Sequence, residues 1–239
     1  MMHEPKFTSQ PLYVQLREAL MKRIASGDWR PGAAIPNEID IAREYGLSAG
    51  TVRKALDWME QANLVVRQQG RGTFVCDPST AELANRFENI WGPEGNRIVA
   101  AFGEAKVTVS EADAYACDRL RLKPGAKIHR VEQLRTLHDR PFMLEIVALP
   151  VTLFSSVPET GYTLTGAAGA SSVLLGNAEE HLRVDTARGD VARQLDVAEG
   201  TPVLRLDRVV FTLDGRPAEW RIGYCLMGEN SYRCSIGSL

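Results

Sequence analysis

The stretch from Pro11 to Val75 constrains this chain most. It carries three short apolar periodicities of helical spacing, then two short β runs around a Gly-rich tip, Gln68-Gln69-Gly70-Arg71-Gly72. The first helix is expected over about Pro11–Ala25. Leu12, Leu16, Ala19, Leu20 and Ile24 fall on one face there, and Pro11 suits a first turn that does not use its N–H. Gly27 and Pro31-Gly32 then turn the chain. The second helix starts after Pro36. Asn37 is its cap, Asp40 the partner in a capping box, and Ile41, Ala42 and Tyr45 its short buried face. Gly46-Leu47 makes a tight turn. Ser48 caps the third helix, and Val52, Ala55, Leu56 and Met59 turn into the core. Leu64–Arg67 and Thr73–Val75 form a hairpin. The order is that of a helix-turn-helix with a β-wing.

That shape fits the DNA major groove with one helix. Ser48, Ala49, Gly50, Thr51, Arg53 and Lys54 occupy the first two turns of the third helix, and most of them are left facing outward. A helix N-terminus attracts phosphate, and an Arg can fork onto guanine O6 and N7. For Arg53 taken alone, a solvated helix face is the other reading. Arg71 at the wing tip suits a minor groove or a phosphate, or else a solvated turn.

These residues resemble the N-terminal domain of the GntR family of bacterial transcription regulators. The resemblance is carried by Pro11-Leu12-Tyr13, Gln15, Gly27, Pro31-Gly32, Pro36, Glu38, Ala42, Gly46, Ser48, Thr51-Val52-Arg53, Ala55-Leu56, Arg67 and Gly70–Val75. It implies a DNA-binding set of Glu38, Ser48, Ala49, Gly50, Thr51, Arg53, Lys54, Arg67, Gln69, Gly70 and Arg71. The chain departs from the family pattern at Ile39, often basic, and at Ala49-Gly50, where Arg and a polar residue are common. An altered operator preference is expected.

The 239 residues suggest two domains, and 44% hydrophobic with 24% charged residues is ordinary for a globular chain. The net charge of -2 gives no nucleic-acid signal, although up to Cys76 ten Lys/Arg face eight Asp/Glu and beyond it eighteen face twenty-two. No apolar run has membrane-span length. The start, MMHEPKFTSQ, lacks a signal-peptide pattern, so a cytoplasmic location is expected. Cys76, Cys117, Cys225 and Cys234 show no CxxC spacing and read as reduced structural thiols. No cofactor and no metal is expected.

The second half contains a near-repeat. Residues 112–149 and 189–226 each run through a short helix, a Gly turn at Gly125 or Gly200, a strand, a hairpin and a returning strand, with Gly215 as one added residue. Two such units suggest one antiparallel sheet with helices against a face, unless the likeness of the hairpins is chance. Alternation then places Val131, Gln133, Arg135 and Leu137 on one face, and Leu204, Leu206, Arg208 and Val210 on the equivalent one. Met143, Glu145, Val147 and Leu149 go together, as do Glu219 and Arg221. Trp220, Ile222 and Tyr224 point the other way, into core. Charges on an apolar face need partners. Glu145 and Arg221, at corresponding repeat positions, are either a structural ion pair or part of a polar patch in a ligand pocket.

The region from about Arg97 to Ile236 is similar to a UTRA domain, the effector-binding half of HutC-type GntR regulators, with a chorismate lyase-like fold. Leu134-Arg135, Arg140-Pro141, Glu145, Leu149-Pro150, Ala192, Leu195, Gly200–Leu204, Arg208, Asp214–Pro217 and Glu219 carry this resemblance. It implies Arg135, Glu145 and Glu219 as pocket residues. Together with the alternation, the expected effector set is Gln133, Arg135, Glu145, Arg208, Glu219 and Arg221. Arg135, Arg208 and Arg221 favour an anion.

The expectation is an α+β chain in three parts. Residues 1–76 form a winged helix-turn-helix domain, 77–96 a linker, and 97–239 a UTRA-like effector-binding and dimerisation domain. Its function is that of an operator-binding regulator, by family habit a repressor. It works as a homodimer on two-fold related half-sites of double-stranded DNA and is controlled by a small anionic metabolite. One alternative is an enzyme acting on a small carboxylic acid through the lyase-like half, with Glu145 and Glu219 as acid and base. Another is an architectural DNA binder with no effector.

Overall fold

A computed structural model describes residues 10–62, 64–76, 88–159, 161–171 and 173–234. The chain divides into two compact units, Met1–Pro78 and Ser79–Leu239. The first part of the expected linker, residues 77–87, lies outside the described residues.

In the first unit, α1 (Leu12–Ala25) and α2 (Glu38–Tyr45) pack against α3 (Ala49–Gln61). Leu16, Leu20 and Ile24 are buried on α1, and Ile41 on α2. Val52, Ala55, Leu56 and Met59 are almost fully buried on α3. Each large apolar side chain so placed contributes about 1.5–3 kcal/mol of burial. Leu12 is 57% exposed, so the apolar face of α1 starts one turn later than its spacing predicts. Pro11 is the N-cap and does not belong to the first turn. Asn37 caps α2 by accepting from the backbone N–H of Ile39 and Asp40. Asp40 accepts from the Asn37 side-chain amide at 2.6 Å, so the return bond of the expected capping box goes to the side chain. Gly46 takes the left-handed conformation (φ 64) that ends α2. The wing is β1 (Val65–Gln68) paired antiparallel with β2 (Gly72–Val75), and Ala34 bridges to Phe74 on the outer side.

The second unit is a six-stranded antiparallel sheet. Its strands are β4 (Ala101–Glu111), β5 (Lys127–Leu137), β6 (Arg140–Pro150), β7 (Leu175–Thr186), β8 (Pro202–Thr212) and β9 (Pro217–Cys225), in the order β4-β5-β6-β9-β8-β7. The repeat is real in three dimensions. In copy one, α4 (Ala114–Leu120) ends on Arg121 with φ 52. In copy two, α6 (Gly189–Gln194) is followed by Asp196, also φ 52. Gly125 and Gly200 follow at φ 80 and 84. A β-bulge between Arg135 and Thr136 recurs between Val210 and Phe211. Chance does not place two bulges and two left-handed residues at matching positions. The returning strands β6 and β9 meet at the sheet centre, where Ile146 lies opposite its repeat counterpart Ile222. A local pseudo-two-fold axis therefore passes between these two residues.

The turns differ between the copies. The β5–β6 hairpin closes with His138 and Asp139, both at positive φ, as a two-residue turn requires. In the second hairpin Gly215 (φ 82) supplies that freedom.

One sheet face carries α4 and α6. Ala116 and Leu120 pack with Ile128, Ala148, Val209, Phe211 and Trp220, while Ala192 and Leu195 pack with Leu144, Ala187 and Val203. Trp220, Ile222 and Tyr224 lie on this side, as their alternation predicts. On the other face, α5 (Leu164–Ala170), Phe154 and Tyr162 cover Val131, Val147, Leu149 and Val210. Farther along that face, Ile90 packs with Met143, Leu206 and Cys225.

Residues 88–96, read from the sequence as linker, belong to the second unit. There β3 (Ile90–Trp91) pairs antiparallel with β10 (Ser231–Tyr232), and Gly92–Asn96 close a hydrogen-bonded turn. Ile90 is the reason. Its side chain is buried against the sheet, which no solvated linker would allow.

Candidate DNA-binding and effector sites

The N-terminus of α3 is exposed and well capped. Ser48 Oγ accepts from the Thr51 N–H at 3.2 Å and lies 2.9 Å from Thr51 Oγ1. Ser48, Ala49 and Gly50 are exposed, which leaves the first-turn backbone open to an anion. A methyl group added at Gly50 would meet only Ser48 Oγ, at 3.9 Å.

Arg53 projects from the same end but is not loose. Its Nε and one terminal nitrogen donate to one oxygen of Glu38 at 3.1 and 3.0 Å. The other Glu38 oxygen lies 3.5 Å from Arg67. Glu38 starts α2, where the helix dipole favours a carboxylate, and it is held there by both arginines. Arg67 also pairs with Asp57 and Glu60, each at 2.6 Å, and its backbone N–H donates to Glu60. Burial alone lowers the affinity of Arg67 for its proton, but its hydrogen bonds to Asp57 and Glu60 outweigh that and raise its pKa above the ordinary value. Arg67 therefore braces the wing against α3. Lys54 folds back over the Tyr13 ring, 4.2 Å from its centroid. Gln69, Gly70 and Arg71 form the exposed wing tip, with Arg71 lying 5.9 Å over the Phe74 ring.

The sheet brings the six effector candidates into one buried network. Gln133 lies opposite Glu145 across β5–β6, and Arg208 lies opposite Arg221 across β8–β9. Two like charges in register repel. Carboxylates offset this. Arg221 binds Glu145 at 2.5 Å and Glu219 at 3.0 Å, and Arg208 stands 3.6 Å from Glu180 on β7. Gln133 donates to Glu145 and to the Tyr162 carbonyl, both at 3.3 Å, and accepts from the Tyr162 N–H at 3.0 Å. The Tyr162 hydroxyl donates to Glu219. Arg135 meets Glu88 at 2.8 Å and Glu145 at 3.7 Å.

Burial pushes the Glu145 carboxyl up, but the attraction of Arg221, then of Arg135 and Arg208, leaves it below its ordinary value. Burial would lower Arg221, yet Glu145 and Glu219 hold it well above its usual range. Both stay charged as a pair. Burial and then Glu219 push the Tyr162 hydroxyl well up, so it remains a donor.

A cavity of about 20 Å³ opens beside this network. Of the six candidates, Glu145, Arg208 and Arg221 line it, while Gln133, Arg135 and Glu219 stand behind, bonded to residues that do. The remaining walls include Glu88, Asn89, Glu180, Tyr232, Met143 and Leu206. Gly223 sits opposite both Glu145 and Leu206 in register. A side chain there would come within 3.3 Å of Leu206 and 3.5 Å of Met143. Glu88, Asn89, Glu180, Tyr162 and Tyr232 were not in the expected set. Glu180 and Tyr162 had no flanking pattern to single them out. Among the described residues no cluster of His, Cys, Asp and Glu is placed to hold a metal, and no helix is long and apolar enough to cross a membrane.

A winged helix-turn-helix and a sheet enclosing a polar cavity, in one chain, are the two parts of a ligand-responsive DNA-binding regulator. Residues 12–75 match the bacterial regulatory proteins of the gntR family, and residues 105–227 match the UTRA domain. The chain is 30% identical over 229 residues to an HTH-type transcriptional regulator of Mycobacterium tuberculosis, covering 88% of this chain and 80% of that one. It is 37% identical over 167 residues to the histidine utilization repressor of Klebsiella aerogenes, 68% of each chain. The solved ligand-binding domain of a GntR-family regulator from Bordetella bronchiseptica superposes with a TM-score of 0.59 at 25% identity, over 64% of this chain and 98% of that one. The chain belongs to the GntR family and is a HutC-type transcription regulator with a UTRA effector-binding domain. The family and these relatives are transcription regulators, not enzymes, and nothing in the comparisons favours the enzyme alternative.

Proposed function

We propose that the protein is a homodimeric repressor whose hold on a two-fold related operator is set by a small anionic metabolite bound beside Glu145, Arg208 and Arg221. The reading is carried by one observation: six polar side chains chosen by alternation gather in a buried network next to a cavity. A purely architectural DNA binder has no use for such a network, which costs desolvation. The name of the histidine utilization repressor supports repression. Ser48, Ala49, Gly50, Thr51 and Arg53 are the proposed contacts at the α3 end, with Lys54, Gln69, Gly70 and Arg71 flanking them. Arg53 reads a base. Glu38 and Arg67 hold Arg53 and the wing in position. Ligand binding shifts operator affinity by its differential affinity for the two states of the protein.

The test is operator binding by fluorescence anisotropy with a panel of small carboxylates and phosphates. An active compound should change operator affinity, and Arg135→Ala should bring the ratio of affinities with and without it close to one. The melting temperature is measured first, because breaking a buried charge network costs about 3–5 kcal/mol. A well-folded Arg135→Ala protein with the same ratio removes Arg135 from the response. For dimerisation, a fragment starting at Asp77 should sediment as a dimer at micromolar concentration; a monomer there sinks that part of the proposal.

A further inference from the structure

The cavity is too small for a metabolite. Its roughly 20 Å³ holds about one water, whereas small-molecule sites run to about 300 Å³ or more. One wall must move. Most walls belong to the six-stranded sheet, but one is the short ribbon of β3 and β10, only two residue pairs long. Two-stranded ribbons of this length have little stability of their own and open locally at low cost.

That wall is fastened by side chains. Glu88 reaches Arg135 at 2.8 Å, Asn89 donates to the Tyr232 hydroxyl at 2.9 Å, and Tyr232 donates to Glu180. Glu88 lines the cavity, and its carboxylate is paired at 2.8 Å with Arg135, which stands behind the lining. Arg135 is 4% exposed at its side chain, and its Nε has no hydrogen-bond partner among the described residues.

We infer that Glu88 is a tethered stand-in for the effector: a carboxylate on the ligand displaces it from Arg135 and takes its place. This rests on the proposed pocket. Charge selects the ligand class. Arg135, Arg208 and Arg221 face Glu88, Glu145, Glu180 and Glu219. Exchanging one carboxylate for another leaves that balance unchanged, whereas a phosphate dianion adds a further negative charge to a buried site.

The full-length protein is titrated with acetate and with inorganic phosphate at constant ionic strength, following arginine side-chain resonances. Hydrogen exchange at the Arg233 N–H, which donates to the Asn89 carbonyl, reports on the ribbon. Glu88→Gln should bind acetate roughly tenfold more tightly than the unaltered protein, as expected for removal of an internal competitor. Adding Arg135→Gln should abolish that gain, and acetate should speed exchange at Arg233 in the unaltered protein. Glu88→Ala repeats the test should Glu88→Gln melt early. Equal, Arg135-dependent acetate binding with and without Glu88 overturns the stand-in while leaving the pocket reading intact. Absence of any Arg135-dependent binding overturns both. A larger gain for phosphate than for acetate overturns the carboxylate assignment.

Discussion

Glu145 and Arg221 occupy equivalent places in the two copies of the repeat and are partners in one buried ion pair, 2.5 Å apart across the pseudo-two-fold axis. The repeat has thus placed an acid in one copy and a base in the other at positions that its own symmetry brings together. Neighbouring equivalents have diverged likewise. Gln133 of the first copy answers to Arg208 of the second, and Met143 to Glu219. An asymmetric polar site has arisen on a nearly symmetric frame.

Arg221→Ala should lower stability by about 3–5 kcal/mol, since it leaves Glu145 and Glu219 buried without their main partner. Replacing Glu145 and Arg221 together by apolar residues of similar size should cost much less. Urea unfolding of the two singles and the double checks this, and strict additivity would show that the pair is not coupled.

The pair also sets an acid limit. The folded-state pKa of Glu145 is below its ordinary 4.5, so the stability it contributes is fully present above that value. It is lost as the pH falls from there through the lower folded-state value. Asp113, which caps α4 and pairs with Arg130, is likewise lowered from 3.8 and acts in the same direction. Melting temperature should therefore hold steady down to pH 4.5 and decline below it. For Glu145→Gln the decline should be shallower.

Arg53→Ala should weaken specific operator binding by about 1–3 kcal/mol and relax preference at one base pair per half-site. Glu38→Gln should act through Arg53. Specific affinity should fall as the guanidinium loses its anchor, while affinity for random DNA holds or rises because one negative charge is gone. Competition binding against random DNA decides it; equal losses on both DNAs would make Arg53 only a phosphate contact.

Removing Arg71 should reduce the slope of log affinity against log salt by roughly one unit. The side chain is exposed at the wing tip and lies over the Phe74 ring, so folding should not suffer. An unchanged slope would mean that the wing tip meets no phosphate.

Gly50→Ala should be tolerated and should stabilise the first unit by up to about 1 kcal/mol. The added methyl has open space, with Ser48 Oγ at 3.9 Å as its nearest neighbour. Thermal unfolding tests the stability, and selection from a random operator library tests whether base preference changes with it.

The amino-acid sequence alone determined the local elements and the faces. Ser48 and Asn37 mark helix starts because their oxygens satisfy backbone donors that no helical carbonyl can reach. Period-two alternation grouped Gln133 with Arg135, Glu145 with its apolar neighbours, and Glu219 with Arg221 on single strand faces, with Arg208 on the equivalent face of the second copy, because a pleated strand offers only two faces. Spacing exposed the repeat for the same local reason. What lies across a face is not a local property. Only the tertiary structure set β6 beside β9, Glu38 beside Arg53, and Arg67 among Glu38, Asp57 and Glu60. It alone brought Glu88 from just ahead of β3, Glu180 from the edge strand β7 and Tyr232 from β10 onto the same cavity. Those contacts join residues far apart in sequence, and they are fixed by chain closure and the competition for burial.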